Sequence, residues 1–185
     1  LTNLSQGVRI FQTNGNLILG SASAVAAELA FGVDFVASVS GNTLAIVPLK
    51  PLQSATSYIV VVTTGLKDAN GKPVVADAQY VDARNGQMSA LPQLTTMIQA
   101  DEGLVASYSA AYPFPPTVLQ GTPAAVPLTA GSTGNIALGY SITTQNITAA
   151  LQQAQGLAKA ATAPIIAVGA LPTSPVDVNG QITSG

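Results

Sequence analysis

The sequence predicts a mainly β protein, an immunoglobulin-like β-sandwich with a few peripheral α-helices. Three features of residues 42–74 favour this class. Residues 44–47 and 58–64 are largely β-branched or aromatic on both faces, which is typical of strands covered on two sides. Two prolines between them remove backbone donors, so the first strand must end there. The Asn70-Gly71 pair then supplies the positive φ that a tight turn requires.

The N-terminal residues predict a strand followed by a short helix. Residues 8–13 alternate in polarity and end at an Asn-Gly pair, which favours a strand and a hairpin turn into residues 17–19. Residues 23–30 are rich in alanine, the strongest helix former, and predict two helical turns. Ser21 or Ser23 would cap them, because a serine side chain accepts hydrogen bonds from the first free backbone N–H groups.

A hairpin and a corner are predicted next. Residues 35–39 and 43–47 flank a Ser-Gly-Asn sequence, which indicates a hairpin with a short loop. Tyr58 begins the strand that follows the two prolines, and a tyrosine at such a corner often bonds its hydroxyl to nearby backbone. We expect Leu66 to close the end of the sandwich beside it.

The middle of the chain gives weaker signals. Residues 76–90 are polar and without clear periodicity, so they predict a loop or an edge element. Residues 91–106 carry apolar side chains at roughly helical spacing and predict a helix that covers one end of the sandwich. Tyr108, Tyr112 and Phe114 follow, and they could be packing groups or a platform for a ligand or a protein interface.

The C-terminal part predicts a last strand and then a helix. Residues 136–143 alternate in part and indicate the final strand of the sandwich. Asn146 or Thr144 would cap a helix over residues 147–161, whose apolar residues fall on one side. Residues 165–168 form a short apolar run that predicts a strand.

These elements predict three regions. Residues 1–145 would form the sandwich domain, and residues 146–170 would add a helix and a short strand packed on it. Residues 171–185 have the Pro, Ser, Asn and Gly content of a linker, and we expect it to lead toward a C-terminal domain that is absent from this chain.

Several of these segments resemble a known family. The sequence PLKPL at 48–52, the Val-rich strand opened by Tyr58 and the sequence GLKDANGKPV at 65–74 are similar to immunoglobulin-like modules of bacterial surface and secreted proteins. More narrowly, they resemble the N-terminal region of the bacterial virulence-factor (VolA-type) extracellular lipases. In that family a segment like YSITTQ at 140–145 precedes a short helix and then an α/β-hydrolase domain. The resemblance covers about residues 9–159.

Composition excludes several classes of partner. Charged residues make up 8% of the chain, against about 25% in typical domains, and the net charge is −2. The six basic residues are scattered, so neither nucleic acid nor an anionic lipid surface has a basic patch to bind. We therefore expect contact with membrane or lipid only through the parent protein. Cysteine is absent, which removes disulfides and thiolate sites.

Catalytic residues of the common hydrolase types are missing. The 185 residues contain no histidine and no Gly-x-Ser-x-Gly motif, so a Ser-His-Asp triad cannot be assembled. The nearest sequence places Ser132 in an Ala-Gly-Ser-Thr-Gly run that reads as a loop. A Ser-Lys dyad would need a lysine with a lowered pKa, whereas all four lysines occur in turns or polar runs, at Lys50, Lys67, Lys72 and Lys159.

Metal and acid-base sites are equally weak. Asp68 and Asn70 match part of a calcium loop but lack its third ligand and its downstream Glu, so a simple turn is the favoured interpretation. Asp101 and Glu102 are adjacent, and adjacent side chains point apart on a helix or a strand, which disfavours a carboxylate pair. No metal and no cofactor is expected.

The resemblance implies a non-catalytic N-terminal accessory domain of a secreted or outer-membrane-anchored bacterial lipase. Its partner would be the hydrolase domain of the same polypeptide, which it would position or present at the cell surface or outside the cell. The alternative is a surface adhesion module that binds polysaccharide or protein, which the aromatic residues between 108 and 114 suggest.

The missing histidine leads to a direct prediction. The chain should hydrolyse neither short-chain nor long-chain p-nitrophenyl esters, because it lacks a general base for a serine nucleophile. The rate should equal that of a buffer blank. Turnover above the blank that disappears in Ser132→Ala would contradict the prediction.

Overall fold

The computed structural model describes residues 1–17, 22–112 and 127–160. The chain divides into two compact units, Leu1–Gln145 and Asn146–Gly185. The described helices and strands are, in chain order, α1 (Leu4–Gly7), β1 (Val8–Thr13), β2 (Val25–Glu28), β3 (Phe35–Ser40), β4 (Thr43–Pro48), β5 (Ser57–Thr63), α2 (Ala78–Arg84), α3 (Pro92–Ala111), β6 (Ile136–Thr143) and α4 (Ile147–Ala160).

The first unit has a central antiparallel sheet with the strand order β2-β1-β5-β6. The β3-β4 hairpin forms a separate sheet. Apolar side chains of β1 and β5 alternate between two clusters, one shared with the hairpin and one shared with α3. The hairpin and α3 therefore cover opposite faces of the central sheet. This arrangement confirms the mainly β class, while the immunoglobulin-like sandwich stays a prediction.

Strand β5 is the most buried element of the sheet. All seven of its residues are buried, as the sequence predicts for a strand covered on both faces. Its even-numbered residues Tyr58 and Val60 face the hairpin, while Ile59 and Val61 face α3. The same burial is predicted for β4, and this prediction is wrong. The hairpin is the outer layer of the fold, so residues of β4 such as Val47 remain exposed.

The hairpin itself is confirmed. Strands β3 and β4 pair from Phe35 with Pro48 to Ser40 with Thr43. Gly41 has a φ of 56° in the connecting turn, a conformation that glycine adopts without steric cost. Phe35 is 1% exposed and packs into the cluster with Val8 and Tyr58.

The corner at Tyr58 is also confirmed, and Thr144, the residue after β6, stabilises it. The Tyr58 hydroxyl accepts a hydrogen bond from the backbone N–H of Gln53 at 2.8 Å. The Thr144 hydroxyl accepts from the backbone N–H of Thr56 at 3.0 Å and donates to the Gln53 carbonyl. The sequence stretches around 53–58 and 140–145 are therefore neighbours in the fold. Leu66, 1% exposed, is buried as predicted.

The predicted helix at residues 23–30 is wrong, because residues 25–28 form β2 and pair with β1. The intrinsic preference of alanine is overridden by tertiary contacts. Glu28 accepts two hydrogen bonds from Arg9 of β1, at 2.6 and 2.8 Å, and both side chains are buried. The predicted strand at residues 17–19 lies mostly outside the described residues.

The loop or edge element predicted at residues 76–90 is also wrong, because this segment contains α2. Asp77 caps this helix by accepting a hydrogen bond from the backbone N–H of Gln79 at 2.8 Å. The helix predicted at 91–106 is confirmed as α3 and extends to Ala111. It covers a face of the sheet rather than its end, since Val105 packs against Ile59 and Val61.

The predicted last strand is confirmed as β6, which pairs with β5 from Ser57 with Thr143 to Thr63 with Ile136. In the second unit, Asn146 caps α4 by accepting a hydrogen bond from the backbone N–H of Ala149 at 2.8 Å. Residues 161–185, with the predicted short strand and linker, lie outside the described residues. No helix in the described part of the chain has the length and hydropathy required to cross a bilayer.

The buried pair of Arg9 and Glu28 predicts a non-additive response to mutation. Glu28→Leu should lower the free energy of unfolding by about 3 to 5 kcal/mol, because it leaves a buried guanidinium without its carboxylate. The double variant Arg9→Met/Glu28→Leu should lose much less, since no buried charge remains. Urea denaturation measures both values.

The control is Lys50→Met, which breaks an ion pair whose lysine is 60% exposed and should cost less than about 1 kcal/mol. A double variant as unstable as Glu28→Leu would contradict the prediction.

Candidate functional site

An apolar stripe runs along β6. Leu138, Tyr140 and Ile142 alternate along the strand and are each about 40% exposed, at 41%, 42% and 42%. They pair with Val62, Val60 and Tyr58 and therefore share the hairpin-side face of the sheet. The hairpin packs over β1 and β5, but it leaves the stripe open to solvent.

Strand β6 is also the last strand of the sheet. It pairs with β5, and among the described residues no strand pairs with its other edge. An exposed edge offers unpaired N–H and C=O groups to another chain. The stripe and the edge together form a surface suited to contact with another protein domain.

A buried polar network fixes β6 in place from the opposite face. The Tyr80 hydroxyl of α2 accepts a hydrogen bond from the backbone N–H of Gly139 at 3.0 Å and donates to Glu102 of α3 at 2.9 Å. Glu102 also accepts from Arg84 at 3.3 Å and from the backbone N–H of Gly131 at 2.8 Å. Burial, together with the Glu102 carboxylate, raises the pKa of the Tyr80 hydroxyl, which therefore remains a donor.

Asp101 makes a second contact to the same strand. Asp101 is 6% exposed, and its carboxyl group is hydrogen-bonded to Ser141 of β6. Burial raises the pKa of Asp101 above its ordinary value, and the bond to Ser141 offsets this only in part. Asp101 thus contacts β6 directly, and Glu102 is linked to it through Tyr80, both from the face opposite the apolar stripe.

The adjacency of Asp101 and Glu102 in the sequence predicts that their side chains point apart. The structure instead buries both, since they lie between Ile98 and Val105 at the i, i+3, i+4, i+7 spacing of one helix face. This spacing is the signal that would have identified them. Arg84 and Tyr80 carried no such signal, because they occur in the segment predicted as a loop.

The described residues line an apolar and a polar cavity on the hairpin side of the sheet. The first, called the apolar cavity below, has a volume of about 130 Å³ and lies between hairpin, sheet and stripe. Its lining residues are Ile10, Leu29, Phe35, Ile46, Pro48, Leu52, Tyr58, Val60, Tyr140 and Ile142. The second, called the polar cleft, has a volume of about 230 Å³ and includes Gln12, Asp34, Lys50 and Gln53. Leu29, Leu52 and Tyr58 line both.

Of the three predicted aromatic residues, Tyr108 and Tyr112 lie in contact with each other. Tyr108 packs edge-on against the buried Phe11, with ring centroids 5.8 Å apart, which is a packing role. Tyr112 is 59% exposed, and the centroid of its ring lies 4.8 Å from that of Tyr108. Phe114 lies outside the described residues.

The weak metal candidates belong to a tight turn. Asp68 accepts hydrogen bonds from the backbone N–H groups of Asn70 and Lys72, at 2.8 and 2.9 Å, in the manner of an Asx turn. Gly71 has a φ of 80° in the same turn. The part of the chain that the structure describes holds no group of three acidic side chains that could bind a metal ion.

The candidate nucleophile has no activating geometry in the described residues. Ser132 is exposed, and the loop before it is held by the bond from Gly131 to Glu102. Lys50 is paired with Asp34 at 2.7 Å, and this bond lowers the pKa of Asp34. Lys67, Lys72 and Lys159 are exposed. The stripe and the open edge of β6 can thus offer apolar contact and hydrogen bonds to a partner.

Comparison with known protein families gives a match to this chain. Residues 6–110 match the family described as bacterial virulence factor lipase N-terminal. This region is more than half of the 185-residue chain and includes β1 to β5, α2 and most of α3. No curated protein and no solved structure matches the chain.

The buried Asp101 predicts a pH-dependent stability. Its raised pKa means that the folded state keeps the proton to higher pH than the unfolded state, whose carboxyl titrates near the ordinary value of 3.8. The stabilisation that comes from holding this proton in the folded state is therefore fully present below that value. It is lost as pH rises through the raised pKa of Asp101. From about pH 4 upward, wild type should lose unfolding free energy relative to Asp101→Asn.

Urea denaturation of both proteins at several pH values measures this difference. Asp82→Asn, at a half-exposed position of α2, is the control. A difference between wild type and Asp101→Asn that stays constant with pH would refute the assignment.

Proposed function

Since the chain belongs to the bacterial virulence factor lipase N-terminal family, we propose that it is a non-catalytic accessory region that positions the hydrolase domain of a bacterial lipase. The family match over residues 6–110 is the observation that carries this proposal. The absence of histidine from the sequence supports it, because the chemistry of a serine lipase must then come from another part of the parent protein.

The stripe on β6 is the proposed contact for the hydrolase domain. Its three side chains, Leu138, Tyr140 and Ile142, are apolar and share one face of a strand that is hydrogen-bonded to the polar network on its opposite face. A preformed apolar surface favours docking, since little side-chain or loop ordering is needed on binding.

Position in the chain supports the same contact. Strand β6 ends at Thr143, and α4 begins at Ile147, so any domain that follows α4 is tethered to the strand that carries the stripe. Tethering raises the effective concentration of the partner, which allows a surface of modest area to hold it.

Location outside the cell or on the outer membrane is part of this proposal. A chain with 8% charged residues and a surface of Ser, Thr, Gln and Asn suits such a setting. The parent enzyme would be a lipase or esterase, and this chain would present its hydrolase domain to substrate.

Replacement of Leu138 in the full-length parent lipase tests the docking role. Leu138→Ser should lower the unfolding temperature of the hydrolase domain by a few degrees, because an apolar contact at the domain interface is lost. Differential scanning calorimetry measures this transition, with esterase activity as a check that the hydrolase domain is folded.

Leu91→Ser is the matched control, since Leu91 is 52% exposed and lies at the start of α3, outside the stripe. Equal unfolding temperatures for Leu138→Ser, Leu91→Ser and wild type would rule out docking on the stripe.

A further inference from the structure

The apolar cavity and the polar cleft are adjacent, since they share three lining residues, and together they are called the groove below. The apolar cavity is walled by aliphatic and aromatic side chains, whereas the polar cleft contains amide, carboxylate and ammonium groups. Leu29, Leu52 and Tyr58 form the boundary, because each lines both halves. A ligand that fits both must have an apolar part joined to a polar part.

Tyr58 places a hydrogen-bond donor at this boundary. Its side chain is 2% exposed, and its hydroxyl oxygen accepts the backbone N–H of Gln53. Among the described residues, no acceptor receives the proton of this hydroxyl. A buried hydroxyl proton without an acceptor is costly, and a ligand oxygen at the boundary would satisfy it.

The polar cleft favours a neutral head group. Its ammonium group, Lys50, is already paired with Asp34 at 2.7 Å, so the cleft offers no net positive charge. The Gln12 amide donates to Gln53 at 2.8 Å, and each side chain keeps further donor or acceptor capacity. Hydroxyl groups, which both donate and accept, match such a surface.

We propose that this groove binds a single-chain amphiphile with a neutral, oxygen-bearing head group. The acyl chain occupies the apolar cavity, the ester carbonyl oxygen accepts the Tyr58 hydroxyl proton, and the head-group hydroxyls lie in the polar cleft. A dry apolar cavity of roughly 150 Å³ accepts benzene, so a volume of about 130 Å³ holds about five carbon atoms. A longer chain leaves past the exposed Tyr140 and Ile142.

This site goes beyond the proposed function and beyond the expectation that lipid is met only through the parent protein. It shares Tyr140 and Ile142 with the stripe, but Leu138, the residue that tests docking, is absent from its lining, so the two tests use different residues. The two proposals therefore fail separately.

Methyl-resolved NMR of the full 185-residue chain tests the site. The probe is 1-monohexanoylglycerol, with glycerol and hexanoate as controls for the head group alone and for a charged head group. Saturable shifts are expected at the methyl groups of Leu29, Ile46 and Leu52, whereas Ile98 and Val105 on the opposite face should not move. Hexanoate should bind several-fold more weakly because its carboxylate meets Asp34.

Three results would overturn the proposal. They are the absence of saturable shifts, shifts of equal size at Ile98 and Val105, and the same shifts with glycerol alone.

Two variants then test the assigned roles. Leu52 is half-buried and lines both cavities. Leu52→Trp places a larger side chain between them and should abolish binding. Tyr58→Phe removes the hydroxyl and should weaken binding about fivefold. Tyr112→Phe, the same change at an exposed tyrosine, is the matched control. Unshifted methyl signals of Ile98 and Val105 show that each variant is folded, and wild-type affinity in both groove variants would disprove the site.

Discussion

Burial of β5 on both faces is the constraint on which the rest of the structure depends. All seven of its residues are inaccessible, so the strand needs a neighbour along each edge and a layer over each face. Strands β1 and β6 provide the two edges. The hairpin and α3 provide the two layers. The surface proposed for docking arises because the hairpin, with two strands, is narrower than the sheet beneath it.

Several charged residues are buried in ion pairs that link the layers, and they do not contribute to the exposed surface. Two of the six basic and two of the eight acidic residues form two buried pairs, Arg9 with Glu28 and Arg84 with Glu102. Arg9 also donates to Ser109, which links β1 to α3, and Glu102 links α3 to the loop before β6. The exposed surface is therefore even less charged than the composition indicates, and its contacts with partners should depend weakly on salt.

The sequence was sufficient where local pattern and tertiary context agree. The hairpin, β5 and the Tyr58 corner follow from alternation, a Gly-containing turn and prolines, each of which acts over a few residues. It was insufficient at β2, where a pairing with Arg9 across 19 residues outweighs the helix preference of alanine. The candidate site could likewise be predicted only in part. The alternation of residues along β6 was visible in the sequence, whereas the exposure of the stripe depends on where the hairpin ends. The boundary role of Tyr58 depends likewise on contacts between distant segments.

The place of β6 in the chain also determines when the sheet can be completed. The 6–110 family match ends before this strand, and 72 residues separate Thr63 from Ile136 in the chain. Closing a loop of this length costs entropy before any ladder bond forms, so this pairing should form late in folding. As synthesis proceeds from the N-terminus, β5 remains an unprotected edge until residues 136–143 have emerged. The nascent chain therefore passes through an interval in which its most apolar strand is open to intermolecular pairing, and a holding chaperone would be most useful then.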